Sequence, residues 1–220
     1  MNEKSIIKFQ SLFRNYISKL KLNNLIIKIQ SVVRKFLCKL RLNKLNDNFT
    51  LDIVNKLLDN YIDKINLNKE INKKLDKRKI RNDNFPCAIS ENIVKYAFSK
   101  KYNIMPSWNT KKGDLELLDN KILEVKAFSS IGPTSFGPNE MWYRLYIIDC
   151  TKFIEKKFKI YEINLSNNDS KFQNIKVNKN ETFYSQSKNK RRPRISFNDL
   201  QKQLSENMKV IFDDSLEKLY

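Results

Sequence analysis

The sequence predicts an α+β (α/β) fold, a mixed central sheet flanked by helices and preceded by a helical extension. Three observations predict it. The three glycines, Gly113, Gly132 and Gly137, and three of the five prolines fall in or beside one short window. Around that window apolar residues alternate with period two, as in strands. Before it, through residues 1–83, they recur at helical spacing instead.

Residues 1–46 hold eleven Lys/Arg against the single acid Glu3. Ile6, Phe9, Phe13, Ile17 and Leu20, then Ile26, Ile29, Val33, Phe36 and Leu40, make an apolar stripe. No proline precedes Pro86 and no glycine precedes Gly113, so the segment reads as one or two basic amphipathic helices. It contains an internal repeat: Phe9-Gln10, Arg14 and Lys19 are matched by Ile29-Gln30, Arg34 and Lys39. These resemble tandem IQ motifs, the helical segments that bind calmodulin-like light chains, with Asn15 and Lys35 where glycine is usual. The resemblance implies a calmodulin-like partner at residues 9–39. The other reading is a helix packed on the main domain or laid against a polyanion.

Residues 47–84 predict a further helix, with Leu51, Val54, Leu57, Leu58, Tyr61 and Ile65 on one stripe, running into a polar, charged linker. The boundary of the main domain is expected there, with the domain over 85–220. Within it, Ser90–Lys101 reads as a helix N-capped by Ser90. Asp114–Leu118 and Ile122–Phe128 read as strands joined by a tight Asp119-Asn120 turn. Arg144–Asp149 and Lys157–Leu165 read as further strands. Ser196 to Asp199 resembles a capping box that opens a helix with Leu200, Leu204, Met208 and Ile211 on one face.

Composition narrows the chemistry. A formal charge of +19 points to a polyanionic partner, nucleic acid first, since phosphates reward clustered Lys and Arg through counterion release. No run of about 18 apolar residues predicts a membrane span, and an intracellular location is expected. Cys38, Cys87 and Cys150 suggest neither a disulfide framework nor a zinc site. With no histidine in the chain, Ser-His-Asp triads, Cys-His pairs and His-based zinc sites are excluded. Acid–base and metal chemistry must come from carboxylates, lysines, tyrosines or water.

The segment from Gly113-Asp114 to Glu124-Val125-Lys126 fits that restriction. On a strand, Leu123, Val125 and Ala127 point one way, and Glu124 and Lys126 the other. A hairpin brings Asp114 to the side of Glu124 and Lys126. Two carboxylates and an ammonium then suit a hard divalent cation and in-line phosphodiester hydrolysis. An ordinary charged hairpin face has the same pattern.

Three blocks carry a resemblance. They are Phe85 to Val94, Gly113-Asp114 through Glu124-Val125-Lys126, and Ser129-Ser130-Ile131-Gly132-Pro133-Thr134-Ser135-Phe136-Gly137-Pro138. Over residues 85–212 the chain resembles the PD-(D/E)xK nuclease superfamily, and within it type II restriction endonucleases. Lys112-Gly113 stands where the superfamily's proline would precede Asp114. The resemblance implies a restriction-endonuclease-like fold and a Mg²⁺-dependent nuclease, with Mn²⁺ able to substitute. The enzyme would cut double-stranded DNA as a homodimer. Asp114, Glu124 and Val125 would hold the metal, and Lys126 would be the catalytic lysine. Glu91 either joins the catalytic group or only complements a helix dipole. Ser129, Ser130, Thr134 and Ser135 either approach DNA or form a stiff connection. Lys190, Arg191, Arg192 and Arg194 read as phosphate or guanine contacts, or as a solvated basic loop or localisation signal. Two alternatives stay open: a calmodulin-binding interaction protein with a silent nuclease fold, and a nonspecific or mobile-element nuclease.

Overall fold

The chain divides into two units, Met1–Asn48 and Phe49–Tyr220. The computed structural model describes residues 50–76, 79–109, 113–130 and 132–220. The expected helical extension over 1–46, with its IQ-like repeats, lies outside these.

The first helix described, α1 (Leu51–Lys74), begins where Thr50 accepts from the Ile53 N–H as N-cap. Its stripe of Leu51, Val54, Leu58, Tyr61 and Ile65 is buried. Each such side chain contributes about 1.5–3 kcal/mol of burial. The stripe packs in one cluster with Phe85, Ile89 and Ile93. The boundary expected near residue 84 therefore does not coincide with a break in the core. Of the polar stretch 68–84, residues 68–74 belong to α1, and the described residues 75–76 and 79–84 are exposed.

That helix, α2 (Cys87–Tyr102), starts a turn before the expected Ser90, with Pro86 at the N-cap position. The fixed φ of Pro86 launches it. Ser90 is buried and turns its hydroxyl back onto the Pro86 and Cys87 carbonyls. Asn103, in the left-handed region at φ 54°, closes it by donating its N–H to the Ser99 carbonyl at 2.8 Å.

A six-stranded mixed sheet follows, built from β1 (Ser107–Trp108), β2 (Leu115–Glu116), β3 (Ile122–Phe128), β5 (Arg144–Asp149), β6 (Lys157–Ile163) and β8 (Met208–Ser215) in that order. β3 and β5 pair in parallel; the other neighbours are antiparallel. The ends of β3 and β5 fall where the apolar pattern predicts. The hairpin before β3 differs. Its first strand is only Leu115–Glu116, and its loop is Leu118-Asp119-Asn120 rather than two residues. Asn120 adopts φ 64°, and its N–H donates to the Leu117 carbonyl at 2.9 Å. A three-residue hairpin loop needs such a left-handed residue, and asparagine tolerates it.

The last element corrects the sequence reading. The helix opened by Ser196 is α5 (Phe197–Leu204), and it stops at Leu204. After one 3₁₀ turn, Met208–Ser215 is strand β8, paired with β6. Met208 packs against one core and Ile211 against the other, so the four residues expected on one helix face are divided. The run Val210-Ile211-Phe212 is β-branched and aromatic, and an open sheet edge outweighs a helical period that it also satisfies.

Both faces of the sheet are covered. Leu123, Val125, Tyr146, Ile148 and Ile160 face α1 and α2. Leu145, Ile147 and Ile163 face a second layer of Phe136, Trp142, Phe172, Phe183 and Leu200. That layer contains α3 (Ser170–Gln173), α4 (Phe183–Lys188), α5 and a two-stranded ribbon of β4 (Thr134–Ser135) with β7 (Arg194–Ile195). Among the described residues no helix is long and apolar enough to cross a membrane. The α+β restriction-endonuclease-like architecture is the one observed.

Candidate active site

Strand alternation on β3 sends Leu123 and Val125 to the first core. Glu124 and Lys126 go to the opposite face, in register with Leu145 and Ile147 of β5. That face is not open solvent, because the second layer caps it. Glu124 keeps 2% of its surface. Lys126 is mostly enclosed and lies 5.8 Å from the centre of the Phe136 ring.

Asp114 stands just before β2. Its Oδ2 accepts from the Val125 N–H at 2.7 Å, which aims the carboxylate at the same spot. Gly113, at φ 73°, makes this approach possible. A Cβ there would stand 2.2 Å from Ile122 Cγ2 and 3.6 Å from Glu124 Oε2. Glycine adopts this conformation freely and leaves that space clear. Glu91 enters from the first turns of α2, close enough for its charge to be felt by the other acids.

The electrostatics show the crowding. Burial, then the Asp114 and Glu124 charges, push Glu91 up to about 8, against the pull of Lys126. Burial pushes Glu124 up to about 7; Lys126 draws it down and Asp114 adds to the rise. Asp114 is raised as well, mainly by burial, with the Val125 N–H working the other way. Burial disfavours the Lys126 ammonium, yet the Glu124 and Glu140 carboxylates hold it above its ordinary value. Its Nζ donates to Glu124 Oε1 and lies 3.1 Å from Glu140 Oε2. Glu124 Oε2 is buried with no hydrogen-bond partner.

These groups fit a hard cation. They are carboxylates that repel one another in a poorly hydrated place, with one oxygen unsatisfied. Among the described residues no three His, Cys, Asp or Glu side chains are grouped to enclose a metal ion by themselves. Mg²⁺ does not need that, since one or two carboxylates usually hold it together with water and phosphate.

The expected nucleic-acid contacts divide. Ser129 is half-buried and Ser130 exposed, on the bend directly after β3. Thr134 is buried, while Ser135 keeps part of its surface. Both lie in the ribbon, where Thr134 pairs with Ile195 and Ser135 with Arg194. The Phe136 N–H donates to the Pro193 carbonyl at 2.9 Å. The glycine–proline loop and the end of the basic run are thus stitched together. Arg191 is already engaged by Glu181, which Asn178 and Gln186 also bind. Lys190 and Arg192 instead line a cleft of about 550 Å³ with Gly113, Gly137, Glu140 and Met141.

Sequence reasoning missed Glu140 and Glu181. Glu140 could have been noticed as the acid that ends the window holding every glycine. Nothing local marks Glu181 as the partner of Arg191.

The family model of the Bsp6I restriction endonuclease matches residues 37–204. It begins well before residue 85, and so takes in α1. The model of the IQ calmodulin-binding motif matches twice, at residues 3–22 and 23–43. No curated protein and no solved structure matches the chain significantly.

Proposed function

This chain belongs to the Bsp6I restriction endonuclease family, and on that premise we propose that it cuts double-stranded DNA at a specific sequence with Mg²⁺ as its working ion. Mn²⁺ substitutes, and the enzyme acts as a homodimer with one site per strand. The observation that carries this reading is the pairing of Glu124 with Lys126 on β3, beside Asp114 held by the Val125 N–H, with Glu124 Oε2 buried and unpaired. Restriction endonucleases generally use divalent ions, and these groups suit one.

Asp114, Glu124 and the main-chain carbonyl of Val125 would hold the ion. Bound there, it would polarise the scissile phosphate and make a bound water more acidic. The chain's own groups do the rest. The Val125 N–H fixes Asp114. The Lys126 ammonium stabilises the charge that develops on the phosphorus oxygens. Glu91 takes or gives a proton beside that water. Lys190 and Arg192 in the cleft, and Arg194 on the ribbon, neutralise backbone phosphates, with Ser129, Ser130 and Ser135 as short hydroxyl contacts. Thr134, being buried, and Arg191, being paired with Glu181, shape that surface instead.

The test is incubation of the protein with mixed DNA and Mg²⁺, followed by sequencing of the ends. Ends at one short palindrome support the reading, whereas a smear points to a degradative nuclease. Glu124→Ala and Lys126→Ala should each abolish cleavage while the fold stays intact. Full activity in both variants sinks the assignment.

The two IQ matches favour a second, additional reading: residues 3–43 bind a calmodulin-like protein. Removal of residues 1–46 separates the two. If tight light-chain binding is found and metal-dependent cleavage never is, the chain is an interaction protein with a silent nuclease fold.

A further inference from the structure

Lys126 faces two carboxylates, and only one of them belongs to the cation site proposed above. Glu124 Oε1 accepts from its Nζ, and Glu140 Oε2 stands 3.1 Å from it. A carboxylate that ligates a divalent cation gives up charge and lone pairs to that ion. Glu124 then holds the ammonium less firmly. A lysine head on a flexible four-carbon stem has many rotamers and needs another acceptor to stay aimed.

Glu140 is built into that position. Its Oε2 is buried. Its side chain lies across Gly137, where a Cβ would stand 2.8 Å from Oε1 and 3.0 Å from Cδ and Cγ. Gly137 is buried and is not in the left-handed region, so the missing side chain serves the neighbour's room. Buried Asn167 pins the local backbone, donating to the Glu140 carbonyl at 3.0 Å and accepting from the Trp142 N–H at 3.1 Å. Glu140 also lines the cleft that carries Lys190 and Arg192.

We propose that Glu140, seated in the space left by Gly137, is a positioning residue that keeps the Lys126 ammonium aimed at the scissile phosphate while Glu124 serves the cation. The inference rests on the nuclease reading above. It assigns Glu140 no contact with substrate or ion.

The test is steady-state DNA cleavage with Mg²⁺ by the full chain and its variants. Glu140→Gln and Glu140→Ala should lower kcat about 100-fold, the scale of a 1 Å misplacement, with KM for DNA little changed. Glu140→Asp should recover part of the loss. Gly137→Ala should lower kcat in the wild-type background, because the new methyl displaces the Glu140 side chain. In the Glu140→Ala background the same methyl meets no carboxylate, so it should add nothing. Thermal unfolding of each variant keeps folding separate from rate, and Glu140→Gln carries the test if the alanine variant does not fold. Unchanged kcat in Glu140→Gln, or independent multiplying losses from Gly137→Ala and Glu140→Ala, would overturn the proposal. If wild-type protein leaves DNA intact, the nuclease reading fails and this inference with it. If the wild type cuts and the Glu140 variants cut equally well, only this inference fails.

Discussion

Glu124 on β3 and Glu162 on β6 both have almost no exposed surface, and they lie on opposite faces of the same sheet. Glu162 is surrounded by donors. Its Oε2 accepts from Tyr102 at 2.6 Å and from Tyr146 at 2.8 Å, and Oε1 faces Lys209 at 3.1 Å and Arg144 at 3.7 Å. Burial alone would raise it, but the tyrosine hydroxyls and the two cations hold it below the ordinary carboxylate range. Glu124 has one ammonium, two further acids and an unpaired oxygen, and is raised to about 7. The scaffold compensates the charge of Glu162 with two hydroxyls and two cations, although its Oε1, like Glu124 Oε2, has no hydrogen-bond partner. At the candidate site it leaves a carboxylate short of positive charge, which is the condition for taking up a cation.

The largest expected effect separates the two. Glu124→Gln should lower DNA cleavage by about 100- to 10,000-fold, the usual range for losing a reacting group. It should leave the melting temperature at pH 8 equal or higher, because it replaces a disfavoured charge. Glu162→Gln should do the reverse, leaving kcat unchanged and destabilising the fold by about 3 kcal/mol. For a chain of this size that is roughly 6–12 °C in Tm. If both substitutions affect stability and cleavage alike, the contrast is void.

The pH dependence of stability sharpens it next. The folded-state values of Glu124 and Glu91, about 7 and about 8, lie above those of free glutamate. Their stabilisation is fully present below about pH 4.5 and is lost as pH rises through 7 and 8. Metal-free protein should therefore melt at falling temperature from pH 5 to 9. Mg²⁺ should flatten the slope and release protons on binding, which calorimetry in two buffers would detect. Glu162, being depressed, contributes in the opposite direction and loses its contribution only in acid.

Further from the two carboxylates, Lys190→Ala and Arg192→Ala should each reduce the salt slope of DNA binding by about 1, without changing Tm. An unchanged slope would remove those residues from the phosphate path. The smallest effect belongs to the scaffold side: Tyr102→Phe deletes one donor to Glu162 and should cost about 1 kcal/mol with full cleavage retained.

Much of this was legible in the sequence. The alternation Leu123-Glu124-Val125-Lys126-Ala127 located β3 to the residue, because side-chain period is a local property. The same alternation separated the faces and made Glu124 and Lys126 neighbours. The loss of every histidine-based option directed attention to them. What was illegible is non-local. Met208–Ser215 fits a helical stripe equally well until β6 offers it an edge. Glu124 reads as exposed until the layer of Phe136, Trp142 and Phe172 covers its face. Arg191 reads as a free cation until Glu181 reaches it from ten residues away. Glu140 finds Lys126 only through the fold.

The ribbon of Thr134-Ser135 with Arg194-Ile195 has a practical consequence for anyone wishing to exchange these loops between family members. The two strands are far apart in sequence, yet they share one register. A graft that carries the glycine–proline loop alone imports half of a pairing, and a slip of one residue would turn Ser135 inward and Thr134 outward. The transferable module is therefore discontinuous: both segments must travel together, with Phe136 and Pro193 at the joint.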